Sequence, residues 1–143
     1  SLCEKINSTF NKIDIILSPA IGGIVVGYEI GRQLGIETIF AERLNGKFKL
    51  RRGFVIPKNS SVLIVEDVIT TGKSALECSK IIKRSNSQLI GYACIIDRSN
   101  NKLLIKDKIV SQIKFEIATF KKDELPADLK KIKPVKPGSR NLF

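Results

Sequence analysis

The sequence predicts an α/β fold: a central, mostly parallel sheet flanked by helices, forming a single domain over residues 1–143. Two observations carry this. Short β-branched apolar runs alternate with longer stretches whose apolar residues recur at helical spacing. The most unusual segments each follow a strand directly, as they do where ligands bind at the carboxyl edge of a parallel sheet.

The elements follow in order. Ser1 leads almost directly into a first strand over 13–17, stopped by the turn signal Ser18-Pro19-Ala20. Helical spacing runs over 22–34 and stops at Gly35. A second strand is expected over 36–41. Residues 42–53 break the pattern, with two glycines, one asparagine and five basic residues, and read as a mobile surface loop. A third strand over 62–65 is followed by Glu66-Asp67, then 68–74, then a helix to about residue 84. A fourth strand covers 89–96, with Asp97-Arg98 at its end, and a fifth is expected over 113–120. Residues 121–143, polar and carrying Pro126, Pro134 and Pro137, read as a surface segment.

Composition excludes several kinds of chemistry. There is no histidine, so a Ser-His-Asp triad, a Cys-His pair and a His-ligated metal are ruled out. Cys3, Cys78 and Cys94 are odd in number and far apart, which fits neither a disulfide framework nor a zinc site and suggests a reducing cytoplasm. The longest uncharged stretch, 15–28, contains Pro19 and falls short of the roughly 20 apolar residues a membrane span needs. The net charge of +11 implies affinity for anions in general. With two tyrosines, seven phenylalanines and no tryptophan there is little stacking surface for single strands, and no nucleic-acid partner is expected. There is no methionine, even at position 1, which suggests a trimmed start.

The chemistry concentrates in residues 65–74, Val-Glu-Asp-Val-Ile-Thr-Thr-Gly-Lys-Ser. Gly72 and the threonines let backbone N–H groups and hydroxyls close around a phosphate at a helix start. Glu66 and Asp67 would repel that phosphate but would accept hydrogen bonds from sugar hydroxyls, so the two ends together suit a sugar phosphate. Gly72-Lys73-Ser74 also matches the end of a P-loop, but the first glycine of that pattern falls on Asp67, a carboxylate aimed into the nest, and the P-loop is rejected. An ordinary capped strand-to-helix turn would not need the acid pair.

This segment resembles the signature of type I phosphoribosyltransferases, which bind phosphoribosyl diphosphate (PRPP). Residues 41–54, Ala-Glu-Arg through Gly46-Lys47 to Leu-Arg-Arg-Gly-Phe, resemble the mobile loop of one branch of orotate phosphoribosyltransferases. Residues 19–24 resemble that family's diphosphate-side loop, and 136–140 its C-terminal end. The resemblance implies the type I phosphoribosyltransferase fold with its base-covering hood partly missing, and transfer of phosphoribose from PRPP to orotate in pyrimidine biosynthesis. It implies PRPP binding by Glu66, Asp67, Val68, Ile69, Thr70, Thr71, Gly72, Lys73 and Ser74, with the acid pair at the ribose and Thr70 to Ser74 at the 5′-phosphate. Ala20, Ile21, Gly22 and Gly23 would form the diphosphate loop, and Thr70 and Arg98 would bind orotate. Asp67, Lys47 and Arg43 are the expected catalytic residues, with Lys49, Arg51 and Arg52 beside them.

The resemblance further implies Mg²⁺ arriving with PRPP rather than in a protein cage, and a homodimer whose loop 42–53 is shared between sites. Many relatives carry a histidine in that loop, and this chain has none. Another base, or a PRPP-binding regulator without turnover, stands as the alternative.

Overall fold

In the computed structural model, which describes residues 1–99, 103–118, 120–133 and 135, the chain opens with a helix. α1 (Leu2–Thr9) is started by a capping box: the Ser1 side chain accepts from the Glu4 N–H, and the Glu4 carboxylate reaches back to the Ser1 amino group. The expected direct lead into the first strand is therefore corrected. Ile6 anchors this short helix in the core.

β1 (Ile15–Pro19) is buried along its whole length, as a strand covered on both faces must be. α2 (Gly22–Leu34) ends where Gly35 takes the left-handed conformation. β2 (Glu37–Leu44) runs past the strand expected over 36–41, turns at Asn45-Gly46 and returns as β3 (Lys47–Leu50). Leu44 pairs with Lys47, and both turn residues have positive φ (49° and 77°), so this is a two-residue hairpin of the I′ kind. Much of the segment expected as a loop over 42–53 is thus an antiparallel hairpin, because Asn-Gly supplies the turn and Phe48 turns into the core.

β4 (Ser61–Ile69) continues four residues beyond the strand expected over 62–65, which puts Glu66 and Asp67 on the strand itself. α3 (Lys73–Arg84) and β5 (Gln88–Asp97) follow. β6 covers Ile109–Lys114, not 113–120: its place is set by parallel pairing of Tyr92 through Asp97 with Ile109 through Lys114, not by the apolar alternation further on. Beyond it, single 3₁₀ turns at Lys122–Glu124 and Leu129–Lys131 lie on the surface. The C-terminal motif expected at 136–140 lies outside the described residues.

The sheet order is β3-β2-β1-β4-β5-β6, with every pair parallel except β2–β3. Alternate residues feed two cores. Ile15, Leu17, Val62 and Ile64 face α3 with Cys78 and Ile82, whereas Ile16, Leu63 and Val65 face α1 and α2 with Ile6 and Ile30. α2 approaches its face through glycines four apart. A methyl on Gly23 would stand 3.0 Å from the Val65 carbonyl oxygen, on Gly27 3.1 Å from Ser18 Cβ, and on Gly31 2.7 Å from the Ile36 carbonyl oxygen. From β1 the chain goes to β2 on one side, while β4 lies on the other. The crevice at the carboxyl ends of β1 and β4 is therefore the topological switch point, where such sheets bind ligands.

Candidate active site

Three segments converge on that crevice: the turn from β1 into α2, the end of β4 with the start of α3, and the end of β5. At the first, the Ala20–Ile21 peptide is cis and Ala20 N–H donates to the Ala41 carbonyl (2.8 Å). Gly22 lies directly against the second segment. A methyl there would overlap the Asp67 carboxylate, standing 2.7 Å from its Cγ. The structure thus brings the expected diphosphate loop into contact with Asp67 of the acid pair.

Glu66 and Asp67 point to opposite sides of β4. Asp67 is half-buried, and its Oδ1 accepts from the Val68 N–H (2.9 Å). Glu66 is buried, and that burial, reinforced by the Asp67 charge, pushes its carboxyl up to about 7. A buried acid with no counter-cation among the described residues is poised for a donor or a cation to be supplied by a ligand.

The Thr70 to Ser74 turn forms a cradle of about 90 Å³ with Glu66, Val68 and Ile69, the scale of one phosphate. Gly72 caps α3 in the left-handed conformation (φ 75°), and a methyl there would sit 2.6 Å from Ile105 Cδ1. The cap residues Gly72 and Ile21 make no side-chain hydrogen bond; Thr71 Oγ1 accepts from the Lys73 N–H (3.4 Å), and the other N–H groups of the two helix starts lie at this edge. Leu104 N–H donates to the Thr71 carbonyl (3.0 Å), so residues 103–105 brace the cradle from behind.

Arg98 follows β5 and is tied to the cradle strand through its N–H to the Ile69 carbonyl (2.8 Å). Its Nε is buried and has no hydrogen-bond partner among the described residues. Asp97 does not take it up: its Oδ1 accepts from the Ser99 N–H (2.9 Å).

The basic residues of the hairpin sit elsewhere. Arg52 grips Glu42 bidentately (2.8 and 3.0 Å), which holds the Glu42 carboxyl below the usual range. Arg43 pairs with Glu77 of α3 (2.8 Å). Lys47 lines a groove with Phe48, Glu77, Lys80 and Arg84 on the flank of α3, so neither Arg43 nor Lys47 lines this chain's own cradle.

The phosphoribosyl transferase domain model matches residues 1–126. The orotate phosphoribosyltransferase of Methylorubrum extorquens is 49% identical over 143 residues, covering 99% of this chain and 73% of that protein. This chain belongs to the orotate phosphoribosyltransferase family. The Chlorobium phaeobacteroides member is 42% identical over 142 residues, covering 98% of this chain and 74% of that one. Among solved structures, adenine phosphoribosyltransferase from Thermoanaerobacter pseudethanolicus shares the fold, with a TM-score of 0.67 at 17% identity over 80% of this chain and 78% of that one. The α/β phosphoribosyltransferase fold is thereby established.

Two participants escaped the sequence reading. Ile105, behind Gly72, comes from an irregular stretch with no motif. Glu77 looks like any helix-surface acid, and only its partner across the fold marks it.

Proposed function

We propose that this chain transfers the 5-phosphoribosyl group of PRPP to orotate, giving orotidine 5′-phosphate and diphosphate. The observation that carries this is the contact of Gly22 with Asp67 beside the phosphate cradle, with Arg98, whose buried Nε has no partner among the described residues, tied by its backbone to the same strand end. The names of the relatives support orotate as the base.

The cradle, Thr70 to Ser74, takes the 5′-phosphate on N–H groups and hydroxyls at the start of α3. Glu66 and Asp67 accept hydrogen bonds from the ribose hydroxyls, and Ala20 to Gly23 line the diphosphate side. Arg98 grips the orotate carboxylate and Thr70 holds the ring edge. N1 of orotate attacks C1 of the ribose from the face opposite the diphosphate, and its proton passes to the departing diphosphate. The C1–O bond breaks with its electron pair leaving on diphosphate. No protein nucleophile is needed. The Asp67 charge lies on the ribose side, where positive charge develops. Lys47 and Arg43 neutralise the leaving diphosphate, and a closed hairpin excludes water.

Mg²⁺ bound to PRPP would add further neutralisation of the diphosphate. The chain's donors fit that arrangement: Glu66 and Asp67, adjacent on β4, would offer hard oxygens to a PRPP-borne ion. Lys47 lies away from this chain's own cradle, which favours action on the cradle of a second copy and hence a homodimer. Ile21, Val25 and Tyr28 form an exposed apolar stripe next to the site (84%, 74% and 62% exposed) that suits such a contact. No helix among the described residues is long and apolar enough to cross a membrane. We place the enzyme in the cytoplasm.

The test follows orotate absorbance with PRPP and Mg²⁺. Loss of orotate absorbance that depends on PRPP is expected. No loss, with PRPP still binding by calorimetry, would overturn the choice of base.

A further inference from the structure

Glu77 is the single acid in a helix that otherwise carries Lys73, Lys80, Lys83 and Arg84. Helical spacing offers it Lys73 one turn back and Lys80 one turn on, the usual partners of a surface glutamate. Its ion pair is instead with Arg43, across the fold on β2 (2.8 Å). Arg43 is fixed three ways at once: by Glu77 through Nη1, by the Gly46 carbonyl of the hairpin turn (2.6 Å), and by the Phe48 ring, whose centroid lies 4.2 Å below its guanidinium carbon. Phe48 is itself buried in the α3-side core.

A half-exposed ion pair contributes little to stability. What these contacts do is geometric. They fix the hairpin tip, residues 43–48, against the second turn of the helix whose first turn forms the phosphate cradle. Lys47 follows Gly46 directly, so its ammonium is presented from a tip whose position Glu77 sets. Lys47 has no ion pair of its own among the described residues.

We propose that Glu77 is a positioning residue: by clamping Arg43 it sets the hairpin tip and thereby aims Lys47 at the diphosphate. This rests on the reading above that the hairpin serves the reaction. It assigns Arg43 a share in holding the tip, alongside any contact with the leaving group. A misplacement of about 1 Å at a charge-stabilising group is enough to cost up to roughly a hundredfold in rate.

The experiment measures kcat, the PRPP dissociation constant and thermal midpoint for Glu77→Gln, Arg43→Lys, the double variant, and Lys47→Ala. Glu77→Gln keeps the side-chain shape and removes the charge. The expected result is a kcat lower by roughly ten- to a hundredfold with PRPP affinity and thermal midpoint nearly unchanged, because the cradle is untouched. The double variant should be no slower than the slower single one, because both break one clamp. Unchanged kcat in Glu77→Gln, or losses that multiply in the double variant, would overturn the inference. Lys47→Ala separates the two levels. If it is slow while Glu77→Gln is fully active, only the clamp fails. If Lys47→Ala turns over normally, the catalytic reading of the hairpin fails and the clamp falls with it.

Discussion

The acid pair at the end of β4 carries a stability cost that can be measured. Glu66 is 8% exposed, and burial first, then the Asp67 charge, raise its carboxyl from 4.5 to about 7. At about 1.4 kcal/mol per pH unit, that gap amounts to about 3 kcal/mol. Below pH 4.5 the folded and unfolded chains both hold the proton and the cost vanishes. Between pH 4.5 and about 7 the folded chain keeps a proton the unfolded chain has released, so stability falls as pH rises. Above about pH 7 Glu66 is ionised in both states and the full cost persists.

Glu66→Gln keeps the shape and removes the charge. Urea unfolding from pH 5 to 8.5 should show the variant ahead by about 1 kcal/mol at the acid end and by about 3 kcal/mol at pH 8. The chain has no histidine, and the carboxyls of Glu4, Asp14, Glu29 and Glu42 are lowered, so their contributions change below this pH range. The gain in stability should come with lost PRPP affinity, a trade expected where a site stores an unfavourable charge. A stability gap that does not change with pH, or a variant less stable than the parent at pH 8, would refute the reasoning.

Three further outcomes are expected. Gly31→Ala would drive a methyl into Thr38 Oγ1 and to 2.7 Å from the Ile36 carbonyl; overpacking of about 1–3 kcal/mol should outweigh the roughly 1 kcal/mol gained in helix propensity, and the urea midpoint should fall. Arg98→Lys gives up the planar fork, so the orotate KM should rise by about tenfold or more while PRPP affinity holds, as steady-state kinetics and calorimetry will show. Burial pushes the Cys78 and Cys94 thiols up to about 12, whereas Cys3 is partly exposed; a maleimide at pH 8 should therefore label one cysteine in the native protein and three in urea, read by mass spectrometry.

The elements with strong periodicity were legible in sequence. α2 was read with both ends right, because Gly22 and Gly35 bracket a clear helical repeat. The acid pair and the glycine-threonine turn stood out in sequence because both residue types follow one strand directly, and the structure gathers them at one crevice. The misses have separate physical causes. α1 is short and has few apolar residues; its signal was Ser1 and Glu4 at capping-box spacing. The Asn45-Gly46 turn is a strong hairpin signal that was masked by the basic residues around it. β6 was misplaced because residues 113–117 alternate like a strand, while pairing with β5 stops at Lys114. Glu77 was invisible because a cross-fold ion pair leaves no local pattern.

β3 has a further consequence for the protein in solution. Among the described residues it hydrogen-bonds to the sheet on one side only, which leaves its other backbone edge unpaired by them. Such an edge is a template for strand addition by a stray chain, and lysine is a common guard against it. Lys47 and Lys49 flank Phe48 on this strand and are both exposed. Lys47, proposed to neutralise the leaving diphosphate, would therefore share with Lys49 the guarding of this edge. A variant stripped of both should lose solubility along with turnover, so its specific activity has meaning only per mole of monodisperse protein.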